Sequence, residues 1–253
     1  MQTQWQIDWQ LPPGVHAVCT SRVGGVSLPP FDGFNLGDHV QDDPAAVAAN
    51  RAQLQARLGV RAVFLKQVHG VAVLPLHADT PDGTEADACI SQVPGVACTI
   101  MVADCLPLLL TDTRGRVVAA AHAGWRGLAQ GVIENTVAAL CQQSGVSAQA
   151  LSVWLGPCIG LQAFEVGDEV RQVFVAHAAD AQAYFTPHPL HAHKWLADLA
   201  GLARARLQVL GVRDVQGNDS TAAWCTVQQS SRFFSYRRDG VTGRFAACIW
   251  RQG

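Results

Sequence analysis

Residues 96–127 read VACTIMVADCLPLLLTDTRGRVVAAAHAGWRG, and the way this stretch divides decides the fold. Val96–Ala103, Pro107–Leu110 and Val117–Ala121 are apolar runs too short for separate helices. They are set apart by Asp104, by the polar residues from Thr111 to Arg116, and by Gly124. Such runs, bounded by turn residues, predict strands, and their lack of polar alternation predicts that some are covered on both faces. Working outward, Val15–Thr20, Val63–Leu65, Val71–Leu76 and Ala86–Ile90 read as earlier strands, and Leu151–Leu155 and Phe245–Trp250 as later ones. A helix is predicted over Pro44–Leu58, where Asp43 suits the cap and Pro44 the first helical position. Another spans Leu128–Gln143 and runs out at Gly145, and two more cover Glu169–His177 and Lys194–Leu210, the last stopping before Gly211. Strands and helices do not alternate regularly, and neither a repeat nor a linker divides the chain. The expectation is therefore an α+β fold, a single domain over residues 1–253 with mixed β-sheets flanked by helices.

Hydrophobic residues make up 49% and charged residues 15%, which excludes a disordered chain. The formal net charge is -2 and no basic run exceeds Arg237-Arg238, so nothing invites nucleic acid or an anionic membrane and a small-molecule ligand is expected. Met1–Gln10 lacks the basic start and apolar run of a secretory signal, and no stretch of eighteen apolar residues occurs. The expected location is the cytoplasm. The eight cysteines have no paired spacing and several sit inside apolar runs, so most are expected to be reduced core residues. Without a CxxC motif, any metal site has to be assembled from distant segments.

Three segments share one form: Gln67-Val68-His69-Gly70, Ala103-Asp104-Cys105-Leu106-Pro107 and Ala121-His122-Ala123-Gly124-Trp125-Arg126-Gly127. Each sets a His or Cys where the chain leaves a predicted strand, beside a Gly or Pro that permits a tight turn. A lone His or Cys means little, but two imidazoles and a thiolate together make the ligand trio of some catalytic zinc sites, with a fourth tetrahedral position open. His69, Cys105 and His122 are thus the candidate metal ligands. His39 and Cys225 are the candidates for a fourth. His188, His191 and His193 lie in a Pro-containing loop that reads as solvent-exposed and suited at most to stray metal.

These residues also resemble the YfiH or laccase-domain family, usually described as purine nucleoside phosphorylases. The likeness runs through Ser21-Arg22-Val23-Gly24-Gly25-Val26-Ser27, Phe34-Asn35-Leu36-Gly37, Gln67-Val68-His69-Gly70 and Ala86-Asp87-Ala88. It continues through Ala103-Asp104-Cys105-Leu106-Pro107, His122-Ala123-Gly124-Trp125-Arg126-Gly127, Gly156-Pro157-Cys158-Ile159-Gly160, Phe164-Glu165-Val166-Gly167 and Ser235-Tyr236-Arg237-Arg238, over nearly the whole chain. The resemblance implies a Cys/His site for zinc, with copper as the second candidate. It also implies mixed sheets between helical layers (α/β/β/α), similar to the catalytic domain of cytotoxic necrotising factor toxins. Members are described as phosphorylases of adenosine, inosine, guanosine and methylthioadenosine, as adenosine deaminases, as copper-dependent polyphenol oxidases and as peptidoglycan editing factors.

On that footing the expected partners are a purine nucleoside and phosphate, with the protein a monomer or homodimer. Cys105, His122 and Asp104 are the candidate catalytic groups. Arg22, Asn35, Asp87, Arg126 and Arg237 are the candidate substrate contacts. Arg22 beside Gly24 and Gly25 has the charge and backbone freedom to hold phosphate, with Arg126 and Arg237 as alternatives. The rival for each Arg is a surface ion pair. Asp87 and Asp104 read either as acid/base groups, as carboxylates that orient the His ligands, or as strand-end caps. Trp125 is a stacking surface or a core residue. Three other functions stay open: a cysteine hydrolase with Cys105 as nucleophile and His122 as base, acting on an amide such as a peptidoglycan precursor; a copper oxidase, for which the histidines are few; and a non-catalytic module that a metal merely staples.

Overall fold

In a computed structural model, residues 5–252 are described. The reading of Met1–Gln10 falls partly, and the predicted domain at its two ends, on residues 1–4 and 253, which lie outside the described residues. One sheet has the order β1 (Val15–Cys19), β13 (Phe245–Arg251), β5 (Val96–Val102), β2 (Arg61–Phe64), with only the β2–β5 pair parallel. A second has the order β12 (Asp214–Gly217), β8 (Leu151–Leu155), β6 (Leu106–Asp112), β7 (Val118–Ala123), β4 (Ala88–Ser91), β3 (Val73–Pro75); its two outer pairs are parallel and the rest antiparallel. A small antiparallel sheet joins β10 (Phe185–Pro187), β11 (Lys194–Ala197) and β9 (Glu165–Gly167).

The two large sheets face each other, because side chains on a strand alternate between its faces. Cys98, Ile100 and Val102 of β5 meet Leu109, Val118, Ala120 and Trp154 of the second sheet. Ala97 and Met101 point the other way, with Phe64, Ala246 and Cys248, onto Leu54 of α1 (Pro44–Leu58). Leu106, Leu108, Leu110, Ala119 and Ala121 cover the far face of the second sheet, against Val132, Ile133, Val137 and Leu140 of α3 (Val132–Ser144) and Leu202 and Leu207 of α5 (Leu199–Val209). The order of layers is α/β/β/α, as expected, and every residue of β5, β6 and β7 is buried. Among the described residues no helix is long and apolar enough to cross a membrane.

α1 forms where the caps foretold it: the Asp43 carboxylate accepts from Ala45 N, and Gly59 ends the helix at φ 69°. Two helices differ from expectation. The stretch read as Leu128–Gln143 is α2 (Trp125–Gln130) followed by α3, broken at Gly131, whose φ of 101° suits glycine alone. The stretch read as Lys194–Leu210 begins as a strand, because Trp195 and Leu196 pair with Val166 and Glu165; the helix starts only after Asp198, whose carboxylate accepts from Gly201 N. Its α4 neighbour (Asp168–His177) matches the prediction within a residue. All eight cysteines are free thiols, five of them buried.

Candidate metal centre

His69, Cys105 and His122 converge, with their donor atoms all within 4.8 Å of one another. Strand register accounts for much of this. Pro107 pairs with His122 in the β6–β7 ladder, so Cys105, two residues before Pro107, lies next to the end of β7. Ala88 pairs with Ala121, which sets Asp87 beside His122. Cys105 occupies the segment in which the chain leaves β5 in one sheet and enters β6 in the other, and Asp104 makes that turn at φ 95°. His69 lies on the loop between β2 and β3, at φ 62°. Two non-glycine residues in the left-handed region at one site mark a backbone held there by its surroundings.

Asp87 is that restraint for two of the three residues. Its fully buried carboxylate accepts from the backbone N–H of Val68, His69 and Gly70 at 3.1, 2.9 and 2.7 Å, fixing the His69 turn. It also lies 2.8 Å from His122 Nδ1, which directs Nε2 of that ring toward the trio. Carboxylate–histidine pairs of this kind fix the tautomer and orientation of metal-binding imidazoles. The glycines of His122–Gly127 clear the space: a Cβ on Gly124 would stand 2.7 Å from His69 Cδ2 and 3.0 Å from Cys105 Sγ, and one on Gly127 2.8 Å from Gly70 O.

Burial opposes ionisation of the Cys105 thiol, but the charge of His122 and hydrogen bonds from His122 and His69 outweigh it and bring the thiol down to about 6. Burial likewise opposes the His122 imidazolium, and the Cys105 charge with the Asp87 hydrogen bond raise it to about 9. Asp87 is held below the usual carboxylate range: its burial is overcome by the His122 hydrogen bond and the backbone N–H groups. The donor set suits zinc. Ligands at about 2.3 Å (S) and 2.0–2.1 Å (N) in a tetrahedron stand about 3.6 Å apart, and Cys105 Sγ is 3.7 Å from His69 Nε2. Among the described residues no further His, Cys, Asp or Glu joins the trio. Cys225 is buried elsewhere, against Gly160 N, and His39 only lines the cleft.

The trio lies in a cleft of about 570 Å³ lined also by His39, Gln67, Trp125, Phe164, Tyr236 and three cations, Arg126, Arg237 and Arg244. Arg126 stacks over Trp125, 4.5 Å from its ring, and the Arg237 guanidinium donates to Ala163 O and Glu165 O. Asp104 also lines the cleft, but its oxygens are engaged: Oδ1 accepts from Thr226 Oγ1 at 2.5 Å and Oδ2 from Arg237 N at 2.7 Å.

Three residues expected to touch substrate, Arg22, Asn35 and Asp87, do not line the cleft. Arg22 stands outside the cleft, with its guanidinium donating to Asp32 O and Ser230 O and lying 4.8 Å over Phe234. The neighbouring glycines serve loop packing, since a Cβ on Gly25 would stand 2.5 Å from Gly33 O. Asn35 is wholly buried, donating to Asp42 and accepting from Gly37 N and Arg244 N, so it reaches the cleft only by holding the Arg244 backbone. Asp87 touches the ligands rather than the open cleft. Arg244 and Gln67 are lining residues that sequence reasoning did not single out. The Gln67 amide clasps Met101 N and O, and Arg244 precedes β13, nearly 180 residues along the chain from Gln67, so no local signal marks it.

A family model described as multi-copper polyphenol oxidoreductase laccase matches residues 16–252. A Pseudomonas aeruginosa protein named purine nucleoside phosphorylase is 52% identical over 245 residues, 97% of each chain. The Escherichia coli purine nucleoside phosphorylase YfiH is 47% identical over 96% of each chain. The crystal structure of Neisseria meningitidis protein NMB0706 superposes with a TM-score of 0.92 at 42% identity, covering 99% of this chain and 100% of that one. YlmD of Geobacillus stearothermophilus superposes at 0.84 with 26% identity, over 99% of each chain. The chain therefore belongs to the YfiH family of laccase-domain proteins.

Proposed function

We propose that the chain is a zinc-dependent purine nucleoside phosphorylase that also deaminates adenosine, working as one catalytic domain in the cytoplasm. The observation that carries this reading is the pairing, in one cleft, of an open His69–Cys105–His122 trio with the cations Arg126, Arg237 and Arg244. The names of the relatives point the same way. Asp87 does not line the cleft and both oxygens of Asp104 are engaged in hydrogen bonds, so the arginines are the charged groups that an entering anion can contact. Arg126, Arg237 and Arg244 hold phosphate, and Asp104 fixes the backbone of Arg237. Trp125 and Tyr236 are the aromatic surfaces on which a purine stacks, with Phe164 beside them in the lining. In phosphorolysis a phosphate oxygen bonds to the sugar carbon as the bond from that carbon to the purine nitrogen breaks, and the base leaves with a proton. Zinc in the trio would supply a Lewis acid and lower the pKa of a bound water to about 7, the chemistry that deamination requires, and copper in its place would also supply a Lewis acid.

One observation favours a second reading. Asp87 is hydrogen-bonded to His122, and the charge of His122 with the His69 contact brings the Cys105 thiol down to about 6, which is how a cysteine nucleophile is prepared for an amide substrate. The test is chromatographic analysis of products from zinc-loaded protein with adenosine, with and without phosphate. Adenine and ribose 1-phosphate are expected only with phosphate, inosine in either case, and both should vanish in Cys105→Ala and His122→Ala. An inert wild type would overturn the purine reading and move the search to amides.

A further inference from the structure

We propose that Glu165, His188 and His191 form a second site for a first-row divalent cation of the zinc class, outside the cleft. The carboxylate comes from β9 and the two imidazoles from the turn joining β10 to β11, and their donor atoms lie within 4.8 Å of one another. His191 Nδ1 is 2.6 Å and His188 Nε2 3.4 Å from the same oxygen, Glu165 Oε2. The two rings are stacked, with centroids 4.3 Å apart and planes 5° from parallel, so both present their edges to the carboxylate. Nitrogen and oxygen ligands at about 2.0–2.2 Å in a tetrahedron stand about 3.3–3.5 Å apart, so the His188 contact at 3.4 Å already has that spacing. The His191 hydrogen bond at 2.6 Å has to open and give up its proton to the entering cation. Two imidazoles with one carboxylate are an established zinc donor set. Three protein ligands would leave the remaining position to water.

Two features set the affinity below that of a thiolate site. His188 Nδ1 accepts from the N–H of Leu190 and His191 at 3.1 Å each, which places its proton on Nε2; a cation there displaces that proton, and the 189–191 turn has to release Nδ1 to receive one. The Lys194 ammonium also acts on Glu165 and opposes a second cation. The site has a structural consequence, because Glu165 O accepts from Arg237 and Phe164 lines the cleft. A cation here ties the β10–β11 turn to the strand that directly follows Phe164 of the cleft wall.

The experiment titrates metal-free protein with Zn²⁺, counting bound ions after gel filtration, and repeats the titration with Co²⁺ to read the thiolate-to-cobalt absorption. The double variant His188→Ala/His191→Ala should bind one ion fewer per chain than wild type with the thiolate band unchanged, Glu165→Gln should weaken that ion at least tenfold, and His193→Ala should leave it. Equal binding by wild type and the double variant, loss of the thiolate band along with the ion, or loss caused by His193→Ala alone would each overturn the proposal. None of these readouts depends on what the cleft catalyses.

Discussion

Asp87 is the residue on which most of the centre turns, since one buried carboxylate fixes both the His69 turn and the His122 ring. In Asp87→Asn the amide group cannot accept from all four of these donors, and its own N–H₂ faces N–H groups. Zinc affinity, measured by competition with a chromophoric chelator, should fall about 10–100-fold, the usual result of losing a carboxylate behind a histidine ligand. Unchanged affinity would leave Asp87 a mere cap. Cys105 supports a second prediction at this scale. Its thiol in metal-free protein is brought down to about 6, so the reactive thiolate is present above that pH and lost below it, where an ordinary thiol would ionise near 8.5. The rate of iodoacetamide alkylation against pH should show a midpoint near 6, shifted upward in His122→Ala because that charge is the chief lowering cause. A midpoint above 8 in the wild type would show that the imidazoles do not act on the sulfur.

Elements carry these residues to one place, and glycine sets how closely they come. α2 can begin against the His69 turn only because Gly124 has no side chain: an added Cβ would meet His69 Cδ2 at 2.7 Å and Cys105 Sγ at 3.0 Å. Gly124→Ala should therefore displace two ligands at once and lower zinc stoichiometry below half an ion at the cleft while the far-UV circular dichroism stays native. Retention of full zinc binding would show that α2 yields easily. The His122–Gly127 run made the ligand segment legible in advance, but not the helix it opens: His122 and Ala123 end β7 and Trp125–Gly127 begin α2, which was expected only from Leu128. The buried strands were equally legible, because near-continuous apolarity over four to eight residues bounded by turns leaves few other options. The β10–β11 hairpin was not. Trp195 and Leu196 follow on into an apolar helical stretch, and only their pairing with β9, some thirty residues away in sequence, makes them a strand. The same limit explains Arg22 and Asn35. A charged residue in a glycine-rich loop and an Asn in a turn are held by Asp32, Phe234 and Arg244, partners that no local pattern names.

At the scale of the whole molecule, the question is whether a metal holds the fold or only the site. Three apolar clusters, one between the large sheets and one beneath each helical layer, are built from residues that do not involve the trio, apart from Cys105 at the edge of the middle one. A chain of 253 residues buries enough surface for such a core to suffice without a staple. A metal held by the trio would join the β2–β3 loop, the β5–β6 crossing and the end of β7, which the β6–β7 ladder and the Asp87 hydrogen bonds already hold. Its contribution is thus one of ligand linkage. Zinc at about 1,000 times its dissociation constant stabilises the native state by about 4 kcal/mol. For a chain of this size 1 kcal/mol moves the melting midpoint by about 2–4 °C, so chelation should lower Tm by roughly 8–16 °C and leave a cooperative transition from a native-like spectrum. Scanning calorimetry of zinc-loaded and chelated protein checks this. If chelation instead unfolds the chain at 25 °C, the metal is a structural staple, and the stapled binding module takes the place of the enzyme, since a site that must stay closed to hold the fold has no position to offer a substrate.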